Sequence, residues 1–189
     1  MAKKKSKPTY NDIEFDSKEE REFFWWCEEA RELGILTQFR YQHPTYTLSE
    51  TVKTETPRFG ARGQSIKPSV RTLLQEATYT ADFELTFVTS QVVSKLGLRN
   101  LGLDTVLIDV KPAYEPVHSR QQVFSNIQKW LYQRYETYVQ AVVPVKFFQK
   151  TWCPQRAAVT EHGQPRRAKG YMECVTRDQW RANQLRGRS

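Results

Sequence analysis

Residues 77–88 alternate between apolar and polar side chains without a break, and this pattern constrains the fold more than any other in the chain. One face would carry Tyr79, Ala81, Phe83, Leu85 and Phe87, and the other Thr78, Thr80, Asp82, Glu84 and Thr86. A period of two residues is typical of a β-strand with one buried and one exposed face. The chain therefore needs a sheet with a covered face, and Asp82 is expected on the polar side of its strand.

Other segments predict the elements that surround this strand. Apolar residues three and four positions apart predict helices over 16–34 and 119–135, with Trp26 and Trp130 in the core. Strands are expected at 36–47 (bending or ending at Pro44), at 105–111, and at 139–148 with an edge position or bulge at Pro144. Residues 48–73 look like a long polar loop, and a short helix is expected around 92–97. This order predicts an α/β fold, a mixed sheet flanked by helices.

The first helix has recognisable start and stop residues. Ser17 and Glu20 form an S-x-x-E capping box, and Gly34 is placed to end the helix. Glu20 therefore has a purely structural explanation, which remains open beside any role in chemistry.

Charge and composition narrow the function. The chain has 189 residues with 29 basic and 21 acidic side chains, a net charge of +8, which favours a polyanionic partner such as DNA. No apolar run reaches membrane-spanning length and no secretory signal is evident, so we expect no membrane partner and an intracellular, cytoplasmic protein. Three cysteines without a C-x-x-C pair fit free thiols better than a zinc site built from Cys153, His162 and Cys174.

The chain divides into three parts by composition. Residues 1–12 are polar and lysine-rich and are expected to form a flexible basic arm. Residues 13–152 hold the apolar periodicity of the core domain, and residues 153–189 form a basic C-terminal extension with a short helix near 176–185.

A chemical site is expected where the two central strands end. Asp109 and Lys111 lie two residues apart, so both side chains leave the same face at the end of an apolar strand. If that strand pairs with the one carrying Asp82, the two carboxylates converge, and a divalent cation relieves their repulsion. Mg²⁺ suits such a site, with the Val110 carbonyl as a further oxygen ligand, and Mn²⁺ would substitute for it. Lys111 would then act on a phosphate or an attacking water, although a surface ion pair with Asp109 is the alternative.

These residues resemble the PD-(D/E)xK nuclease superfamily. The pattern appears as Thr80-Ala81-Asp82 followed by Asp109-Val110-Lys111, and the run T-Y-T-A-D-F resembles the T-Y-T-P-D-F of phage-type endonucleases. The S-x-x-E at Ser17–Glu20 is similar to that of phage endonucleases and Holliday junction resolvases. Two departures are Ala81 in place of proline and the 26 residues, 83–108, between the two aspartates.

The resemblance implies a restriction-endonuclease-like core and a magnesium-dependent endonuclease that hydrolyses DNA phosphodiester bonds. It implies branched or structured DNA as the substrate and phage DNA recombination as the setting, with the host cytoplasm as the location if a phage encodes the protein. It also implies Glu20 as a catalytic residue and metal ligand beside Asp82, Asp109 and Lys111. A homodimer would follow for a resolvase, because a junction needs two cuts.

Other functions remain open. A nuclease of this fold could instead cut transposon ends or degrade DNA, and a non-catalytic nucleic-acid-binding protein or an RNA-processing enzyme would share much of the pattern. The candidate DNA contacts are Arg58, Arg62 and Arg71 in the polar segment and Gln122 and Lys129 on the second helix. Each of these five side chains is equally compatible with a solvated surface.

Overall fold

The computed structural model describes residues 6–59, 65–113, 118–160 and 162–186. Its strands are β1 (Thr9–Tyr10), β2 (Ile13–Glu14), β3 (Leu36–Tyr41), β4 (Thr45–Ser49), β5 (Val52–Phe59), β6 (Ser65–Leu74), β7 (Ala77–Thr80), β8 (Phe83–Phe87), β9 (Thr105–Val110) and β10 (Val139–Val142). Its helices are α1 (Lys18–Glu32), α2 (Ser90–Lys95), α3 (His118–Tyr135), α4 (Pro144–Lys150), α5 (Lys169–Met172) and α6 (Arg177–Arg186).

A four-stranded mixed sheet forms the centre, with the order β10-β9-β8-β3. β9 runs parallel to β10 and antiparallel to β8, which in turn is antiparallel to β3. On β9, Val106, Ile108 and Val110 face the core cluster that includes α1, whereas Leu107 packs with Leu131 of α3 on the other side. Helices thus cover both faces of a mixed sheet, which confirms the predicted α/β fold as a mixed sheet flanked by helices.

Helix α1 begins and ends where its sequence predicts. The Ser17 hydroxyl accepts a hydrogen bond from the Glu20 backbone N–H, and Gly34 follows the helix with φ +67°, a conformation that favours glycine. Phe23, Trp26 and Cys27 are fully buried against the sheet. The structure therefore confirms the Ser17 cap and the apolar stripe, while the Glu20 side chain accepts from the Ser17 hydroxyl and the Asp16 N–H rather than from the Ser17 N–H.

The alternating segment 77–88 forms two strands rather than one. β7 pairs with β4 in a two-stranded sheet, and β8 enters the central sheet between β3 and β9. At the break, the Ala81 N–H donates to the Pro44 carbonyl and the Gln42 N–H donates to the Asp82 carbonyl. At this point both chain segments pass from the two-stranded sheet of β4 and β7 to the central sheet, which contains β3 and β8. Asp82 therefore lies at the end of the central sheet, just before β8 begins.

The predicted long loop at 48–73 is wrong. Residues 52–59 and 65–74 instead form the antiparallel strands β5 and β6, with Thr54 opposite Arg71 and Thr56 opposite Ser69. Its described side chains are exposed on both faces, apart from half-buried Ser69. A strand with no buried face does not need alternating apolar and polar residues. Its sequence therefore cannot be told from that of a polar loop.

The third core strand was predicted too long. β10 ends at Val142, and Pro144 begins α4, whose Phe147 and Phe148 are buried. Proline lacks an N–H and has a helical φ, so it fits the first turn of a helix better than a strand. β10 does lie at an edge of the central sheet, as Pro144 suggested.

Helix α3 is present as predicted, but rotated. The residues that pack on the sheet are Phe124, Ile127 and Leu131, whereas Trp130 is 48% exposed and Val123 59% exposed. The prediction that Trp130 belongs to the core is therefore wrong.

In the described ranges, none of the helices combines the length and apolar character needed to cross a membrane.

Both terminal segments pack on α1. Tyr10 of β1 stacks edge-on against Phe24 and Trp25, so ordered structure reaches into the segment expected to be a flexible arm. In the C-terminal extension, Trp180 of α6 contacts Trp152 of the core, and α6 confirms the short helix expected there.

A buried ion pair fastens the C-terminal extension to α1. Arg166 donates to Glu22 Oε1 at 2.6 Å, and the Tyr171 hydroxyl donates to Glu22 Oε2. The Glu22 side chain is 3% exposed and that of Arg166 19%. The carboxylate therefore depends on these two partners in place of water.

Arg166→Ala is expected to lower the free energy of unfolding by about 3 kcal/mol, because it leaves a buried carboxylate without its cation. Arg156→Ala is the matched control, since Arg156 pairs with Glu28 of the same helix but is 55% exposed. The control should cost about 1 kcal/mol or less in urea denaturation. Equal losses in the two variants would contradict the structural role given to Glu22.

Candidate active site

Asp109 is an acid built into the apolar body of the sheet. It lies on β9 with Leu107 on the face covered by α3, and only 7% of the residue is exposed. Oδ1 accepts a hydrogen bond from the Tyr79 hydroxyl at 3.1 Å. Oδ2 lies 2.5 Å from Lys111 Nζ, yet it is buried without a partner in hydrogen-bond geometry. One oxygen of a buried carboxylate thus has only a cation to balance its charge.

Asp82 meets β9 from the neighbouring strand. β8 and β9 are antiparallel with Phe83 opposite Ile108, and the continuation of this register brings Asp82 opposite Asp109. Asp82 Oδ2 accepts a hydrogen bond from the Val110 N–H at 2.6 Å. This bond holds the Asp82 carboxylate at the end of β9, between the two residues of the D-x-K pattern.

Negative charge is concentrated at this point. Burial, together with the charges of Asp109 and Glu20, raises the pKa of Asp82 to about 7, against the lowering effects of the Val110 N–H and Lys111. Burial and the charges of Asp109 and Asp82 raise the pKa of Tyr79 well above its usual value, so its hydroxyl stays a donor. The two aspartates are close enough to repel each other in a poorly solvated place.

Lys111 supplies the nearby positive charge. Its backbone N–H donates to the Val142 carbonyl at 2.8 Å, which extends the β9–β10 pairing by one residue. Its Nζ lies 4.7 Å from the centre of the Phe124 ring, beside Asp109. The side chain is 26% exposed, so the ammonium borders both the carboxylate and solvent.

Glu20 lies at the start of α1 and is almost fully buried. Oε1 accepts from the Ser17 hydroxyl at 2.8 Å, and Oε2 accepts from the Tyr41 hydroxyl at 2.6 Å and the Asp16 N–H at 3.3 Å. Both oxygens therefore serve the helix start and its contact with β3. The charge of Glu20 still raises the pKa of Asp82, so it belongs to the same electrostatic environment.

Two carboxylates are a donor set that fits magnesium. Mg²⁺ in proteins is held by one or two carboxylates, with water and substrate phosphate completing its shell. Asp82, Asp109 and the Val110 carbonyl supply such oxygens, and Oδ2 of Asp109, which already faces the Lys111 ammonium, is suited to a cation. Among the residues that the structure describes, no three His, Cys, Asp or Glu side chains come together as a metal cluster, so Glu20 is not drawn into one with the aspartates.

The predicted DNA contacts that the structure describes lie on elements other than the strands that carry this cluster. Arg71 is exposed on β6, and Gln122 and Lys129 are exposed on α3. The Arg58 side chain and the whole of Arg62 lie outside the described residues. The structure thus brings together Asp82, Asp109 and Lys111, while Arg71, Gln122 and Lys129 are exposed on β6 and α3.

Two tyrosines of the site were not anticipated. The sequence predicts Tyr79 on the apolar face of its strand and gives Tyr41 no role, yet their hydroxyls donate to Asp109 and Glu20. A tyrosine in a core pattern carries a polar tip that needs a partner when buried. The need of a buried tyrosine hydroxyl for a polar partner, together with the acidic residues predicted nearby, could have pointed to these contacts from the sequence.

Comparison of the chain with protein-family models, with curated proteins and with solved structures gave no match. The resemblance to the PD-(D/E)xK nucleases therefore rests on the residues already named.

Proposed function

We propose that this protein is a magnesium-dependent endonuclease that hydrolyses DNA phosphodiester bonds on a restriction-endonuclease-like core. The observation that carries the proposal is the meeting of Asp82 and Asp109 at the end of two paired strands, with the Lys111 ammonium beside them. Packing alone does not account for two repelling carboxylates in a poorly solvated place, because burying a charge is costly unless it is paired.

Asp82, Asp109 and the Val110 carbonyl would hold the metal in this proposal. When bound, Mg²⁺ supplies Lewis-acid chemistry that polarises a phosphate and lowers the pKa of an attacking water. The Val110 N–H orients Asp82, and the Tyr79 hydroxyl orients Asp109, so both carboxylates are held before any ligand arrives. Because the two carboxylates are already in position, they need not reorganise when the reaction takes place.

Lys111 acts on the substrate. Its ammonium is close to Asp109 and partly open to solvent, so it can donate to a phosphate oxygen or orient a water near the carboxylates. The Phe124 ring supports the side chain without offering a competing acceptor. In this role Lys111 stabilises the charge that builds on the phosphate.

Glu20 has a supporting role in the proposal. Its two oxygens are occupied by Ser17, Tyr41 and Asp16, which fixes the start of α1 against the end of β3. It would become a further metal ligand if one of its two oxygens left these partners.

The net charge of +8 supports a polyanionic substrate. Branched or structured DNA, as cut by phage-type junction resolvases, follows from the resemblance, and a homodimer would then supply the two cuts. The same resemblance suggests phage recombination as the setting, with the host cytoplasm as the location if a phage encodes the protein.

Cleavage assays on a four-way junction, a linear duplex and a single strand, each with Mg²⁺ or with EDTA, test this function. We expect cutting only with the metal, fastest on the junction, with Mn²⁺ as a substitute. Equal cutting of the junction and the duplex would indicate end cutting or DNA degradation instead. Retention of DNA in EDTA without cutting in Mg²⁺ would show a non-catalytic binding protein.

A further inference from the structure

Strands β5 and β6, residues 52–59 and 65–74, form a two-stranded sheet of their own, which we call the basic ribbon. Every described side chain of the basic ribbon is exposed except half-buried Ser69. Strands of 8 and 10 residues extend about 26–33 Å at roughly 3.3 Å per residue. An isolated hairpin gains little stability by itself, so a hairpin this long that adds nothing to the core indicates a binding role.

By sequence, the segment from the start to the end of the basic ribbon carries half of the chain's positive surplus. Residues 52–74 contain five basic side chains and one acidic one, a surplus of +4 out of +8. Lys53 pairs with Thr72 and the next residue, Thr54, pairs with Arg71, so the two exposed cations leave opposite faces. Glu55 shares the face of Lys53, so a partner that contacts both cations must offer negative groups to both faces at those two positions.

Duplex DNA has this property, since each groove is bounded by two phosphate backbones. The major groove is about 12 Å wide and admits a two-stranded β-ribbon. We propose that the basic ribbon enters a groove of the duplex beside the cleavage site, with Lys53 and Arg71 directed to its two phosphate walls. This inference rests on the proposed function and adds the surface that holds the substrate.

A second copy of the chain fits the basic ribbon less well. Val70 and Leu73 are exposed on it, which would suit a protein partner. However, two ribbons of like charge repel each other. Pro57 and Pro68, one on each strand, also lack the N–H that strand addition would require. Charge and proline placement together favour DNA.

The connection between the basic ribbon and the site limits where the ribbon reaches. β6 leads through Gln75 and Glu76 into β7 and then to Asp82. Arg71 precedes Asp82 by 11 residues (82 − 71), so the two are at most about 36–40 Å apart. One turn of DNA spans about 34–36 Å. The phosphates contacted by Arg71 should lie within about one turn of the cut.

The first test is the salt dependence of duplex binding in EDTA, which prevents cleavage. Lys53→Ala with Arg71→Ala should reduce the slope of log K against log salt by about two, since each lost phosphate contact removes about 0.9. The control is Lys95→Ala with Lys150→Ala, two exposed lysines near the far end of β8 from Asp82. An unchanged slope in the ribbon variant, or an equal reduction in the control, would overturn the proposal.

The second test removes the basic ribbon. Ser49 and Ala77 are paired, so replacing residues 50–76 by Asn-Gly closes a short hairpin there. Footprinting should show protection shortened on one side of the cut by up to about one helical turn, with the oligomeric state unchanged. An unaltered footprint with a lost dimer would identify the basic ribbon as a protein interface and refute DNA contact.

The two proposals fail in different ways. A reduced slope in the ribbon variant, with no cleavage by the unaltered protein in Mg²⁺, supports the basic ribbon as a DNA contact and refutes the nuclease. Normal cleavage with an unchanged slope refutes the DNA contact and leaves the nuclease standing.

Discussion

Asp82→Asn and Asp109→Asn are each expected to reduce magnesium-dependent cleavage at least about a thousandfold, or about 4 kcal/mol in the barrier. Each change removes a charge that the metal needs and keeps the shape of the side chain. The amide oxygen introduced at position 82 can still accept from the Val110 N–H, and the one at position 109 can still accept from the Tyr79 hydroxyl, so the fold should be retained. Single-turnover cleavage of a labelled junction measures the loss.

DNA binding separates this effect from misfolding. Both variants should bind DNA as tightly as the unaltered protein or more tightly, because a carboxylate beside a phosphate is repulsive. Asp104→Asn is the control, since its side chain is exposed just before β9 begins, at the other end of the strand from Asp109. Full cleavage by both site variants would show that the site is misassigned.

Calorimetry provides a readout that does not depend on activity. Titration of the unaltered protein with Mg²⁺ should give a binding signal that Asp82→Asn and Asp109→Asn lose and that Asp104→Asn keeps. Equal binding by all four proteins would place the metal elsewhere.

Lys111→Ala is expected to lower the turnover number by about a hundredfold or more, with little change in KM, if the ammonium acts mainly in the transition state. The ion pair with Asp109 offers a purely structural alternative, which predicts loss of stability instead. Thermal unfolding and cleavage should therefore be measured on the same variant.

Lys111→Arg sharpens the comparison. It keeps the positive charge beside Asp109 but replaces a compact ammonium with a planar fork, so we expect stability to be kept and turnover to recover only in part. A near-normal turnover number for Lys111→Ala would reduce this residue to a structural partner of Asp109.

The central elements could be predicted because each has a face or stripe that must be buried. The alternation at 77–88 and the apolar run before Asp109 follow from β-strand geometry, and α1 follows from its stripe and capping box. The D-x-K spacing likewise suffices to predict that Asp109 and Lys111 share one face of a strand. These properties depend only on neighbours along the chain.

The prediction failed where no buried face exists or where packing selects among faces. The basic ribbon is exposed on both sides and so resembles a loop, and Trp130 lies beside the α3 stripe rather than in it. Pro144 begins a helix because Phe147 and Phe148 can then reach the core. At each of these places the sequence is compatible with the predicted structure and with the observed one.

The sequence by itself determined which segments need burial and which residues could carry metal chemistry. Only the tertiary structure decided that Asp82 meets Asp109, since the break after β7 and the antiparallel register of β8 and β9 bring them together across 26 intervening residues. It also decided that Glu20 keeps both oxygens on its own helix start and β3. Local patterns state what each residue can do, but which side chains converge depends on strand pairing between distant parts of the chain.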